Sequence, residues 1–184
     1  ISKGDFDKVS LNYEQIYPEY NSLDNWKKTT KSLINKPLQL RLIKDLSAPY
    51  YNQLFYQPVV DYNYYDGLSL GLKLHNKPII KRNLSFKIIP KYATKSNTLT
   101  GSTSIIYSQF FEKSKLHNIT YGVAASNYHY APDLSYSIFV PYVSFIFRRK
   151  SLRDVGGKYF TAKLVNINKE SAPNTLGKEQ DKYA

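Results

Sequence analysis

The chain of 184 residues has no cysteine, no methionine, one tryptophan and three histidines. Without cysteine there is no disulfide framework, no thiolate metal site and no cysteine nucleophile. His75, His117 and His129 are scattered, so no helical or hairpin metal-ligand cluster is available, and each reads as a polar or strand-end residue. No apolar run approaches the ~18 residues of a membrane helix. Acidic residues are scarce: 14 Asp+Glu stand against 26 Lys+Arg, for a net charge of +12. Helical periodicity is nearly missing as well. Its best candidate is Asp24 to Leu33, where Trp26, Thr30 and Leu33 share a face behind a possible Asp24 cap. The chain begins at Ile1 without a basic-then-apolar leader, which is expected of a mature or excised piece of a longer protein.

What is abundant is tyrosine, with 18 residues, beside nine phenylalanines and an apolar share of 42%, which excludes a disordered low-complexity chain. These residues alternate with polar ones at a period of two, the signature of strands. Leu68, Leu70, Leu72 and Leu74 fall on one side of a strand, with Ser69, Gly71, Lys73 and His75 on the other. Asp66-Gly67 before it predicts a type I′ hairpin turn, with Tyr56 to Tyr65 as the preceding strand. Further strands are expected over 83–92, 100–111, 118–130, 135–148 and 158–168, with earlier candidates at 9–17 and 38–43. Pro90 and Pro141 fall inside these patterns and predict an edge, a bulge or a strand end. The chain thus reads as a single β domain: a leading segment over 1–36, a strand meander over 37–168 and a polar tail or truncated loop over 169–184.

Two settings give such alternation. In a soluble sandwich the apolar face meets a second sheet. In an outer-membrane barrel it meets lipid, while polar and small residues line the lumen. Candidate strands of about 9 to 13 residues suit a membrane better than the ~5–6 of soluble strands. Aromatics gather near strand ends, at Tyr62, Tyr64 and Tyr65, at Phe110 and Phe111, and at Tyr128 and Tyr130, as in an interfacial girdle. The fold class expected is therefore all-β: an antiparallel up-and-down meander of about eight strands, part or all of an outer-membrane β-barrel. Its lipid-facing candidates are Leu68, Leu70, Leu72, Leu74, Leu84, Phe86, Ile88, Phe139, Val143, Phe145 and Phe147. The turn lengths do not divide clearly into short and long sets, so the sequence leaves the orientation open.

No catalytic pattern emerges. Asp66 reads as a turn-former. Glu14, Glu19 and Asp24 show no inferable paired geometry, and Asp66-Gly67-Leu68-Ser69-Leu70-Gly71 has too few glycines for a phosphate loop. Basic clusters at Lys27-Lys28, Lys81-Arg82 and Arg148-Arg149-Lys150 could bind single-stranded nucleic acid together with the tyrosines. Solvated loops or contact with anionic headgroups and lipopolysaccharide account for them equally well. A soluble sandwich binding a glycan through surface tyrosines is the alternative to the barrel, and nucleic acid ranks behind both.

Several segments together carry a resemblance: Leu11-Asn12-Tyr13-Glu14, Tyr17-Pro18-Glu19-Tyr20-Asn21-Ser22, Asn25-Trp26-Lys27, Tyr50-Tyr51-Asn52-Gln53-Leu54-Phe55-Tyr56, Pro90-Lys91-Tyr92, Leu99-Thr100-Gly101-Ser102 and, most strongly, Tyr65-Asp66-Gly67-Leu68-Ser69-Leu70-Gly71-Leu72. From about Val9 to Asn168 the chain resembles the C-terminal β-barrel region of membrane-associated gluzincin zinc metallopeptidases of the Bacteroidetes type. The resemblance implies a bacterial outer-membrane segment that anchors an upstream aminopeptidase-like domain. Its partners would be outer-membrane lipid or lipopolysaccharide, further strands of the parent chain and the peptidase-like domain itself. The family's His-Glu-x-x-His motif is missing from this sequence. No catalytic, cofactor or metal residue carries over, and zinc is expected only in the upstream domain.

Overall fold

The computed structural model describes residues 8–14, 16–19, 25–28, 36–45, 48, 50–78, 82–151, 153, 155–171 and 180–183. Its described residues form twelve strands and no helix: β1 (Lys8–Ser10), β2 (Trp26–Lys28), β3 (Leu38–Leu42), β4 (Asn52–Asn63), β5 (Gly67–His75), β6 (Leu84–Ala93), β7 (Thr98–Phe110), β8 (Leu116–Ala131), β9 (Leu134–Phe147), β10 (Tyr159–Lys163), β11 (Val165–Lys169) and β12 (Gln180–Tyr183). The chain divides into two compact units, Ile1–Tyr56 with Asn76–Arg82, and Gln57–His75 with Asn83–Ala184.

In the first unit β1 pairs antiparallel with β2, joining Lys8 to Lys28 and Ser10 to Trp26. The helix expected from Asp24 to Leu33 is corrected here: Trp26–Lys28 is extended, and the rest of that segment beyond Asn25 lies outside the described residues. The strand expected over 9–17 shrinks to Lys8–Ser10. Asn12 takes a left-handed φ of 45° and ends it, its amide bonded to the Tyr17 carbonyl and to Glu19. The strand β3 lies parallel to the first half of β4, from Leu38 opposite Asn52 to Leu42 opposite Tyr56, which departs from an all-antiparallel meander.

The second unit is one sheet in the order β12-β11-β9-β8-β7-β6-β5-β4, with β10 also on β9. Its strands from the second half of β4 onward follow one another up and down, as the alternation predicts. The strands β10 and β11 share one edge of β9 in one register: Lys163 faces Tyr142 and Asn166 faces Phe139. They are a single strand interrupted where Leu164 donates to the Pro141 carbonyl at 3.0 Å. Counted this way the unit has eight strands. Among the described residues no pairing joins β12 to β4, so the sheet is open and has two edges.

Both prolines sit inside interior strands, which corrects the expectation of an edge, bulge or strand end. Each removes one rung rather than ending a strand. Pro141 cannot return the bond from its own N–H towards Leu164. Pro90 faces Leu72, and the pairing of β5 with β6 skips that position, resuming at Leu74 opposite Ile88. The Asp66-Gly67 turn is corrected too. Only Gly67 has a positive φ, of 70°, so the hairpin is a three-residue turn over 64–66 closed by a left-handed glycine rather than type I′. The tail read as polar loop carries β12, whose backbone pairs with β11.

The buried side chains of the second unit are mostly polar. In the second unit Ala93 is the one buried hydrophobic residue among those described, while Asp66, Ser69, His75, Ser85, Thr100, Ser108, Asn118 and His129 are buried and polar.

Candidate functional site

Residues directly opposite one another in an antiparallel pair share a face. The register therefore divides the second unit's sheet into two surfaces. One carries Leu68, Leu70, Leu72 and Leu74 of β5; Leu84, Phe86, Ile88 and Tyr92 of β6; Leu99, Ile105 and Tyr107 of β7; Tyr121 and Val123 of β8; and Phe139, Val143, Phe145 and Phe147 of β9. Phe160 and Leu164 continue it past β9. All eleven residues expected to face lipid lie on this surface. Most are exposed, Leu70 to 52% and Leu84 to 51%, with Leu74, Phe86, Val143 and Phe145 half-buried. A groove of about 660 Å³ crosses it where the small residues Gly101, Thr103 and Ala125 adjoin Ile88 and Phe139. The opposite surface is largely polar on β5 to β8, where Ser69, Lys73, Ser85, Lys87, Lys91, Thr100, Ser102, Ser104, Thr120 and Ser126 stand beside Ile89 and Ile106, and mixed on β9 to β11, where Ser144 and Lys163 stand among Tyr136, Ile138, Val140, Tyr142, Ile146 and Ile167.

The apolar surface is an oblique band. One row of the register runs from Leu74 through Ile88, Thr103, Ala125 and Phe139 to Asn166. On β5 the band, Leu68 to Leu74, reaches this row from one side. On the far strand, Phe160 to Leu164 lies wholly on the other side. The midpoints, residues 71 and 162, stand three residues before and four beyond the row, a slip of seven residues over five strand steps. At ~3.4 Å per residue and ~4.8 Å between strands, that slope tilts the strands about 45° to the band's normal.

Connection lengths divide by end. Between β4 and β10, the turns at one end span residues 64–66, 94–97 and 132–133, and the connections at the other span 76–83, 111–115 and 148–158. The sequence left this division unseen because strand limits, not turn residues, reveal it. The long connections hold ten Lys or Arg and two Asp or Glu; the short turns hold one Lys and two Asp. The ten-residue connection from β11 to β12 departs from this division. The aromatic candidates fall at both ends. Tyr62, Tyr64, Tyr65, Tyr128 and Tyr130 lie at the short-turn end, and Phe110 and Phe111 at the other. The Tyr128 and Tyr136 rings lie 5.2 Å apart and tilted by 36°, and the register sets that pair on the polar surface.

At the short-turn end a polar cluster centres on Asp66, which is 2% exposed. Its Oδ1 accepts the Ser96 hydroxyl at 2.9 Å and lies 2.6 Å from Nδ1 of His129. Its Oδ2 accepts the His129 backbone N–H and the Asn63 amide, both at 3.0 Å. The Asn63 amide also donates to the His129 carbonyl at 2.8 Å. The β7–β8 pairing stops at Gly101 opposite Asn127, so Leu99 would have been the next partner of His129. Asp66 and Asn63 instead supply the acceptor and donor of that rung. Burial pushes the Asp66 carboxyl up, but the His129 N–H, the Ser96 hydroxyl and the His129 ring outweigh it and hold it below its ordinary value. Across a flat sheet the end of β5 and β8 would stand about 14 Å apart, so this contact bends the polar surface into a concavity. A cavity of about 250 Å³ fills it, bounded by Asp61, Ser69, Lys91, Thr100, Ser126 and Tyr128. Lys91 Nζ meets Asp61 at 2.7 Å there.

The cluster is not a nucleophilic triad. The Ser96 hydroxyl is bonded to the carboxylate, not to the imidazole, so no base is set to take its proton. Asp66 reads in the sequence as a turn-former; its link to His129, 63 positions away, has no signal there. Glu19 bonds the amides of Asn12 and Asn25, and Asp24 lies outside the described residues. Among the described residues, no three His, Asp or Glu side chains gather as a metal site would require. No protein family, curated protein or solved structure matches the chain.

Proposed function

We propose that this chain is a β-barrel segment of a bacterial outer membrane, anchoring the protein through its apolar band, with no catalysis of its own. The observation that carries this reading is the oblique apolar band, backed on β5 to β8 by a largely polar surface. A tilt of about 45° agrees with the ~35–45° of membrane barrels. Measured along β6 from Leu84 to Tyr92, the band spans about 27 Å of strand and about 19 Å of height at that tilt, most of the ~25 Å such barrels present. A water-soluble sheet would cover so large an apolar surface. Lipid covers it here, and the hydrogen-bond ladder satisfies the backbone.

Short turns at one end and long connections at the other match the asymmetry of outer-membrane barrels, whose long loops face outward. The eight described cations of the long connections that are exposed then meet the phosphates of lipopolysaccharide. The two edges of the sheet are completed by further strands of the parent protein, since an unpaired edge is not tolerated in hydrocarbon. That the cargo is a zinc-peptidase-like domain rests on the sequence resemblance alone.

Far-UV circular dichroism of the refolded chain, in buffer, in micelles and in vesicles, tests the reading. A cooperative β signal that requires detergent or lipid is the expected result. A monomer that folds cooperatively in plain buffer would overturn it.

A further inference from the structure

The strands β5 to β11 contain five lysines and no Asp or Glu. The register sets all five, Lys73, Lys87, Lys91, Lys163 and Lys169, on the polar surface and none on the apolar one. Chance alternation would divide them between the faces. Three cluster on neighbouring strands. Lys87 stands opposite His75, Lys91 opposite Gly71, and Lys73, two positions from each of those partners, faces Ile89 and lies diagonally between both lysines at about 7–8 Å. Asp61 meets Lys91, and among the described residues no carboxylate forms an ion pair with Lys73 or Lys87. Both lysines are only half-exposed, so solvent does not fully screen them. Ser104 is the direct partner of Lys87, and Ser102 stands two residues along, so hydroxyl donors adjoin the cations.

Two adjacent, uncompensated ammonium groups beside hydroxyl donors are complementary to an oxyanion. We infer that the polar surface holds a binding site for phosphate-class anions, formed by Lys73 and Lys87 with Ser102 and Ser104. The ammonium groups supply charge, and the hydroxyls supply directed hydrogen bonds to the remaining oxygens. The inference rests on the polar surface and not on what covers the apolar one, so it stands or falls separately from the membrane reading.

The test is titration of the full chain with inorganic pyrophosphate at physiological ionic strength, followed by calorimetry and ³¹P line shape. It is run in whichever medium, buffer or uncharged maltoside micelles, gives the cooperative β signal. The paired variant Lys73→Gln with Lys87→Gln is expected to weaken binding at least tenfold. Lys8→Gln with Lys44→Gln, exposed positions with the same loss of charge, should change it by less than twofold, and Lys73→Arg with Lys87→Arg should retain it. Absence of saturable binding, a loss under tenfold, or an equal loss in the exposed control overturns the inference. If the paired Gln variant does not fold, the two single Gln variants are read by the same titration, each against a threshold of threefold.

Discussion

The Asp66 carboxylate lies 2.6 Å from the His129 ring nitrogen Nδ1 and also accepts the His129 backbone N–H, joining the β4–β5 turn to a strand 63 positions later. The two residues are buried, and Ser96 and Asn63 complete the coordination of the carboxylate. A turn side chain thus closes a rung of the sheet that strand pairing leaves open.

Replacing Asp66 with alanine removes the acceptor of the His129 N–H and one acceptor of the Asn63 amide, and leaves the Ser96 hydroxyl only Thr98 as a partner, all in a buried site. A hydrogen bond to a charged group contributes ~1.5–3 kcal/mol, and orphaned donors add a penalty. Asp66→Ala should therefore destabilise the fold by about 3 kcal/mol, read as a lower urea midpoint. Asp61→Ala, which removes a carboxylate that is half-exposed, should cost well under 1 kcal/mol.

The same carboxylate gives stability a sign with pH. Its native value is held below the ordinary 3.8, so the native state favours its ionised form. That contribution is complete above about pH 4 and is lost as pH falls through the lower native value. Unfolding midpoints measured between pH 2 and pH 6 should fall on acidification, and the difference between the wild type and Asp66→Asn should shrink towards the acid end. A difference that grows on acidification would contradict this arrangement.

Two strand glycines should tolerate alanine unequally. At Gly101, whose φ is 154°, an added Cβ would stand 2.2 Å from the Ile89 carbonyl oxygen, a backbone atom that cannot step aside. At Gly122 the Cβ would meet the far end of the Tyr142 ring, 2.1 Å from Cζ, and the ring can swing away. Gly101→Ala is expected to cost about 3 kcal/mol and Gly122→Ala about 1 kcal/mol. Urea unfolding of the two variants measures the order.

Much of the second unit is legible in the sequence because the period of two is strong there. Leu68 to Leu74 announce both a strand and its faces, and the strands expected over 83–92, 100–111, 118–130 and 135–148 lie within two residues of β6 to β9. What the sequence conceals is non-local. Pro90 and Pro141 read as breakers because the loss of one donor is visible, whereas the partner able to do without it is not. Asp66 reads as a turn residue because its turn is local and His129 is not. The oblique course of the band requires register, and no single strand carries register.

The apolar band gives the prediction that separates membrane from water most directly. Ile105 and Val123 are paired partners near the middle of the band, exposed to 49% and 37%. In bilayers an arginine near the midplane of a barrel's outer surface costs ~2–4 kcal/mol and progressively less towards the interfaces. Ile105→Arg and Val123→Arg should each lower stability in vesicles by that amount, whereas arginine at Leu99, nearer the short-turn end, should cost about 1 kcal/mol or less. In water, the same substitutions at exposed positions would be neutral or would improve solubility, since they break an apolar patch. Urea unfolding from vesicles, following tyrosine fluorescence, distinguishes the two. A cost that rises towards the centre of the band assigns the surface to lipid, and a flat profile assigns it to solvent or to a protein partner.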